Sequence, residues 1–201
     1  MNRFVKRVPA FLLVATGVAC EAGGQKEVSP DVQAAALEVG GSASRALMGT
    51  LVAQLTGAMQ HGGPVNAVDF CSTSAIGLTS GVARQQGLDL KRTSMKVRNP
   101  ANAPDEDETA ALRYFESAIA ETGELPSPWV QRAGRDEYRY YQPLTIAPPC
   151  LSCHGASGEI DPAVQAILDE RYPGDLATDY AVGDFRGVIR VSIPAERLEE
   201  R

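Results

Sequence analysis

Residues 148–158 read PPCLSCHGASG, a stretch that holds two of the chain's four cysteines and one of its two histidines. Cys150, Cys153 and His154 form C-x-x-C-H, the spacing of covalent c-type haem attachment. The spacing answers a chemical requirement. Two thiols at this separation reach the vinyl groups of neighbouring pyrroles, and the adjoining imidazole meets the iron from one face. Other uses of such a pair fit less well. A thioredoxin-like redox pair follows an early strand in a βαβ unit, a context this chain lacks. A structural zinc site needs a second Cys/His pair at ligand spacing. A plain disulfide between Cys150 and Cys153 leaves His154 without a role. The pentad therefore predicts one covalently held haem c, with His154 as an iron ligand.

An iron held this way has a second axial position. The candidates are His61, Cys71, Met48, Met59 and Met95. His61 falls at the end of a helical pattern, where the helix dipole favours a partly positive imidazole. The methionines lie within apolar patterns and read as core filler. Cys71 sits mid-helix among Val68, Ala75 and Leu78, and reads equally well as a small buried hydrophobe. With Cys150 and Cys153 committed to haem, its only disulfide partner would be Cys20. These residues alone leave the distal ligand open. Arg92, Arg98, Arg139 and Lys96 are candidate partners for haem propionates, though each also fits a solvated strand face. Tyr138, Tyr140 and Tyr141 could pack on a porphyrin, but strand tyrosines usually serve a core or a sheet face.

The elements that must carry these residues follow from periodicity. Ser29-Pro30-Asp31 opens a long helical pattern, with Val32, Ala36, Val39, Ala43, Leu47, Leu51, Leu55 and Met59 at three- or four-residue spacing. His61-Gly62-Gly63-Pro64 stops it. A second helix runs from about residue 65 to 86, with Val68, Cys71, Ala75, Leu78 and Val82 on one face. Residues 90–97 alternate as a strand. Residues 99–105 form a turn-rich loop, and residues 105–122 a helix with acids at the positive end of its dipole. Strands are expected at 137–146, rich in tyrosine, and at 185–193. In the latter, Phe185, Gly187, Ile189, Val191 and Ile193 oppose Arg186, Val188, Arg190 and Ser192. Helices beside separate strands predict an α+β fold with an antiparallel sheet.

The 201 residues, 44% hydrophobic, suit one domain with modest extensions. The formal net charge of −6 argues against a nucleic-acid partner, which needs a basic surface. Residues 1–19 read as an export signal: a basic start at residues 2–7, an apolar run at 8–18 too short to span a bilayer, then small residues before Cys20. Cys20 in that place resembles the acylated cysteine of bacterial lipoproteins, with Gly17 where that pattern usually has Leu. The other reading is a secreted protein with a spare thiol. Residues 20–30 are polar and suit a short tether above a membrane, leaving residues 31–196 as the domain. A periplasmic, lipid-anchored location is expected, and export agrees with haem c, which bacteria attach outside the cytoplasm.

Several stretches together carry a wider resemblance. Residues 92–105, RTSMKVRNPANAPD, are similar to a family of exported single-haem c-type domains with a PAS-like fold, long classed as a domain of unknown function. Residues 69–71 (DFC), 150–155 (CLSCHG), 172–175 (YPGD) and 183–187 (GDFRG) fit the same family in the same order. The resemblance spans residues about 35 to 194. It implies that Cys71 is the distal ligand, a thiolate opposite His154, and hence that ferric iron is favoured and the reduction potential low. Protonation of that thiolate on reduction would release Cys71 and open a position for a diatomic gas. The function implied is electron transfer, or redox or gas sensing with the output passed to a separate partner protein. A haem enzyme such as a peroxidase is the alternative. It fits less well, because six-coordinate iron leaves substrate no position and His61 is the sole candidate for a distal acid/base group.

Overall fold

A computed structural model describes residues 28–199. The expected signal at 1–19, Cys20 and most of the tether lie outside those residues. The last of the tether is already part of the folded body: Val28 packs against the main core, and Ser29 accepts a hydrogen bond from the Val32 N–H as the N-cap of the first helix.

That helix, α1 (Pro30–Gln86), consists of two helical segments joined at a sharp interruption. Gly62 and Gly63 leave helical geometry there, Gly63 at φ 66, and Pro64 opens the second segment. Only glycine takes the Gly63 conformation readily, and proline is at home in a first turn. The Asn66 amide donates to the Ala58 carbonyl across the break at 2.9 Å. The two expected helices are therefore both present. Gly87, at φ 61, closes the second.

After α1 come β1 (Asp89–Thr93), α2 (Glu106–Thr122), β2 (Trp129–Ala133), β3 (Glu137–Thr145), α3 (Leu151–His154), α4 (Pro162–Arg171), β4 (Phe185–Pro194) and α5 (Glu196–Glu199). The strands form an antiparallel sheet in the order β1-β4-β3-β2. The fold is α+β, as the sequence pattern predicts. Two details differ from expectation. The first strand ends at Thr93 rather than 97, because Ser94 turns the chain by accepting from the Lys96 N–H. The hairpin strand β2 and the helix α4 go unread in the sequence, although Gly134 at φ 73 and the N-cap Asp161 before Pro162 mark them. The strand β4 is buried on both faces.

That burial follows from how the sheet is covered. On one face, Ala36, Val39, Ala43 and Leu47 of α1 pack against Leu90, Tyr140, Ile189, Val191 and Ile193. Full burial of each such Leu or Ile side chain stabilises the fold by about 1.5–3 kcal/mol. Gly40 lets the helix settle onto β3: a Cβ there would stand 2.2 Å from Cγ of Tyr140. On the other face, Leu112 and Phe115 of α2 pack on Tyr141 and Val188. Polar positions of β4 are thus sealed beneath α2. Arg190 survives there because Glu108, fully buried, accepts from its Nε at 3.0 Å and from Lys91 Nζ at 2.7 Å. The tyrosines belong to these cores, Tyr138 and Tyr140 beneath α1 and Tyr141 beneath α2.

Candidate functional site

The cysteines sit on a short rigid turn. Ala147, Pro148 and Pro149 lead into a 3-10 turn in which the Cys150 N–H donates to the Ala147 carbonyl at 2.9 Å. The single turn of α3 follows and carries Leu151, Ser152, Cys153 and His154. The Gly155 N–H closes it on the Leu151 carbonyl at 2.9 Å. A Cβ on Gly155 would lie 2.7 Å from that carbonyl oxygen, so a side chain there would force the turn apart. Cys150 and Cys153 are free thiols, each partly buried.

His154 is oriented by the loop that precedes β4. Its Nδ1 donates to the Ala177 carbonyl at 2.7 Å; a carbonyl only accepts, so the proton sits on Nδ1. The Nε2 lone pair is left for another partner, the arrangement usual for metal-bound imidazole. Burial, reinforced by Arg98 and Arg186, pushes the imidazole pKa down to about 3, which keeps the ring neutral. The loop itself is stitched to α3. The Tyr180 N–H donates to the His154 carbonyl at 3.0 Å and the Asp179 N–H to Gly155 at 2.8 Å. The Tyr180 ring stands edge-on to the imidazole at 6.3 Å.

Arg98 ties these pieces to the segment after β1. Its Nε donates to Asp175 at 2.8 Å, and its Nη2 to the carbonyls of Cys153 and Ala177. Lys96 donates to the Thr178 carbonyl and lies over the Tyr180 ring at 4.1 Å. Arg186 approaches the same ring at 5.5 Å and donates to the Lys96 carbonyl at 3.3 Å.

The second segment of α1 supplies the opposite wall. Val68 packs with Ile160, Val164 and Leu168, and Cys153 and Tyr172 rest against this cluster. Cys71 lies one helical turn beyond Val68, half-buried and free. It is close enough to Cys153 to raise that thiol's pKa, after the larger effect of burial and against the pull of Arg98. Burial pushes the Cys71 thiol up as well, while Arg92 and Arg98 draw it down. Arg171 fastens α4 to this part of the helix through Asp69 at 2.7 Å and Ser72 at 3.2 Å.

The fold therefore brings Cys71 of α1 near Cys153, on the turn that also carries Cys150 and His154, with Arg92, Arg98 and Arg186 close to them. The other distal candidates lie elsewhere or serve other contacts. His61 is exposed at the α1 interruption, its Nδ1 bonded to the Gly57 carbonyl at 2.6 Å. Met48 packs on the sheet core, Met59 is partly buried near the interruption, and Met95 is exposed. Arg139 is not at the site: it is bound to Asp105 and Glu137 at 2.8 and 2.7 Å. Arg186, Asp175 and Tyr180 escaped the sequence reading. Asp175 and Arg186 leave a sequence trace only in the short runs at 172–175 and 183–187, which carry no role on their own, and Tyr180 leaves none.

A family model described as Tll0287-like matches residues 18–194. The chain belongs to the Tll0287-like family. One solved structure shares its fold, that of the cyanobacterial heme-protein Tll0287, at a TM-score of 0.61 and 24% identity, covering 83% of this chain and 97% of that one. No curated protein matches significantly. Family membership spans the whole site, from Cys71 through His154 to Arg186. Among the described residues no helix is long and apolar enough to cross a membrane, and no three His, Cys, Asp or Glu side chains gather as a metal site.

Proposed function

We propose that the chain is an exported, PAS-like, mono-haem c-type cytochrome domain. Its cofactor is one haem bonded through Cys150 and Cys153, with His154 and Cys71 as axial ligands. Its role is electron transfer, or redox or gas sensing that signals to a separate protein. One observation carries the reading: a neutral imidazole with Nε2 free, two vinyl-reactive thiols and a third thiol share one cation-lined site. The haem of the fold relative agrees with it.

A haem supplies a one-electron iron couple when bound. The chain's residues set its properties. Ala177 fixes the His154 tautomer and ring plane. The Cys71 thiol must give up its proton to ligate, which Arg92 and Arg98 favour and burial opposes. A thiolate then favours the oxidised state, and the potential should be low. Occupation of both axial positions disfavours peroxidase chemistry. Anchoring through Cys20 and a periplasmic location rest on the sequence alone.

The test is the purified ferric protein, produced beside a cytochrome maturation system, with Cys71→Ser beside it. Wild type should carry covalent tetrapyrrole mass and a low-spin thiolate EPR signal, and the signal should vanish in the variant. A colourless wild type defeats the haem reading. An unchanged spectrum moves the distal ligand to His61 or a methionine. Carbon monoxide binding to the reduced protein would mark gas sensing, and fast electron exchange with a periplasmic cytochrome would mark a carrier.

A further inference from the structure

The site holds more positive charge than the chain neutralises. Arg98 has Asp175 as its carboxylate. Neither Arg92 nor Arg186 has a carboxylate within ion-pair distance among the described residues. The Arg92 Nε is buried with no hydrogen-bond partner. A buried, unpaired guanidinium donor is unusual enough in a folded protein to call for an explanation.

The backbone aims these two side chains on purpose. Arg92 lies on β1 two residues from Leu90, which packs under α1, so both occupy the α1 face of the sheet. Arg186 owes its position to a β-bulge. Leu144 pairs with Gly187 and Thr145 with Phe185, which leaves Arg186 without a residue opposite. Bulges re-aim side chains in this way beside functional sites. Gly187, at φ 137, lets β4 approach β1 there: a Cβ would stand 2.3 Å from the Thr93 carbonyl oxygen. The result crowds like charges. Arg186 acts unfavourably on Arg92, and Arg98 on Arg186, beyond the cost of burial that each carries. All three act on His154.

We infer that Arg92 and Arg186 are anchoring residues for a pair of carboxylates on the group bound beside His154, the two propionates of a haem, while Arg98 is a positioning residue spent on Asp175 and the Cys153 and Ala177 carbonyls. This rests on the haem reading above. Guanidinium suits the task because its planar fork meets a carboxylate with two parallel hydrogen bonds. The anchors stand on β1 and β4, the attachment turn follows β3, and Cys71 comes from α1, so the group is gripped from four separate elements.

The experiment uses the matured holoprotein with Arg92→Gln, Arg186→Gln and Arg92→Lys, and Arg135→Gln as an exposed control. Resonance Raman should show the propionate bending bands shifted in both Gln variants. Loss of a cation beside the iron favours the ferric state, so the potential should fall in both. A tenfold change in the ferric-to-ferrous balance, about 59 mV for one electron, is the expected scale. Arg92→Lys should keep most of the potential yet still move the band, and the control should move neither. If both Gln variants keep wild-type bands and potential, the assignment fails. It fails for Arg92 also if Arg92→Gln changes the thiolate EPR signal and leaves the propionate bands alone, because Arg92 would then serve Cys71. Should Arg92→Gln yield no folded protein, the same bands in Arg186→Gln and Arg92→Lys decide. A wild type without haem defeats the reading beneath this one, which separates the two failures.

Discussion

Buried charge occurs on both faces of the sheet, and the two sites are built differently. Beneath α2 every charge is answered. Glu108 accepts from Arg190 and Lys91, Asp89 holds the other arm of Arg190 at 2.6 Å, and Ser192 fills the remaining space. At the Cys150–His154 turn, Arg92 and Arg186 have no carboxylate within ion-pair distance among the described residues. Closed accounts of charge belong to structure. An open one in a natural fold points to a missing partner, because selection would otherwise replace a buried unpaired cation with something apolar. The α2 network therefore reads as scaffold, and the arginines at the cysteines as half of an interaction that a ligand completes.

The contrast can be broken most severely at Glu108. In Glu108→Ala the buried Arg190 Nε loses its acceptor, though Asp89 still holds the other arm, and Lys91 keeps only the Ala103 carbonyl. Removing one member of a buried pair costs about 3–5 kcal/mol, so denaturant unfolding of the holoprotein should move to much lower midpoint. Arg92→Gln removes a charge with no carboxylate in ion-pair distance among the described residues and should cost far less. Equal losses from the two substitutions would erase the distinction between scaffold and site.

A smaller effect is expected where the helix meets the sheet. Gly40→Ala sets a methyl against the Tyr140 ring, and overpacking of this kind costs about 1–3 kcal/mol. The gain in helix propensity, up to about 1 kcal/mol, offsets part of it. Thermal unfolding should show a net loss, with the iron's spectrum unchanged, since Tyr140 belongs to the core under α1 and not to the cysteine site. A spectral change would mean that the core and the site are less separate than the charge pattern implies.

The residues that carry the proposed chemistry are easy to pick out in the sequence, and their setting is hard. C-x-x-C-H is a local code, complete within five residues, so Cys150, Cys153 and His154 stand out by themselves. The two segments of α1 are equally plain, because Gly62-Gly63-Pro64 is a local breaker. Cys71 reads from its own neighbours as either ligand or core, and only the folded chain brings it beside Cys153. Arg186 is harder still. The alternation in residues 185–193 sets it on the face opposite Phe185, and the bulge that re-aims it leaves no mark except Gly187. Arg190 misleads in the same way: its polarity suggests water, while Glu108, 82 positions away, makes burial tolerable. Local geometry can be read along the chain; charge pairing across it cannot.

The smallest expected effect lies at the edge of the site. Arg171 and Asp69 are both substantially exposed, at 38% and 53%, and an ion pair in such a position is worth about 0.2–1 kcal/mol. It nevertheless joins the end of α4 to the turn of α1 next to Cys71. Arg171→Ala should therefore barely move the unfolding midpoint, and what movement there is should shrink in high salt, which screens exposed charge. The informative readout is local. If Val68, Val164 and Leu168 already fix α4 against α1 through their buried surface, the EPR signal of the proposed Cys71 thiolate ligand will match wild type. A broadened or split signal at unchanged stability would show that this surface clasp, rather than the apolar contact beneath it, sets the approach of Cys71.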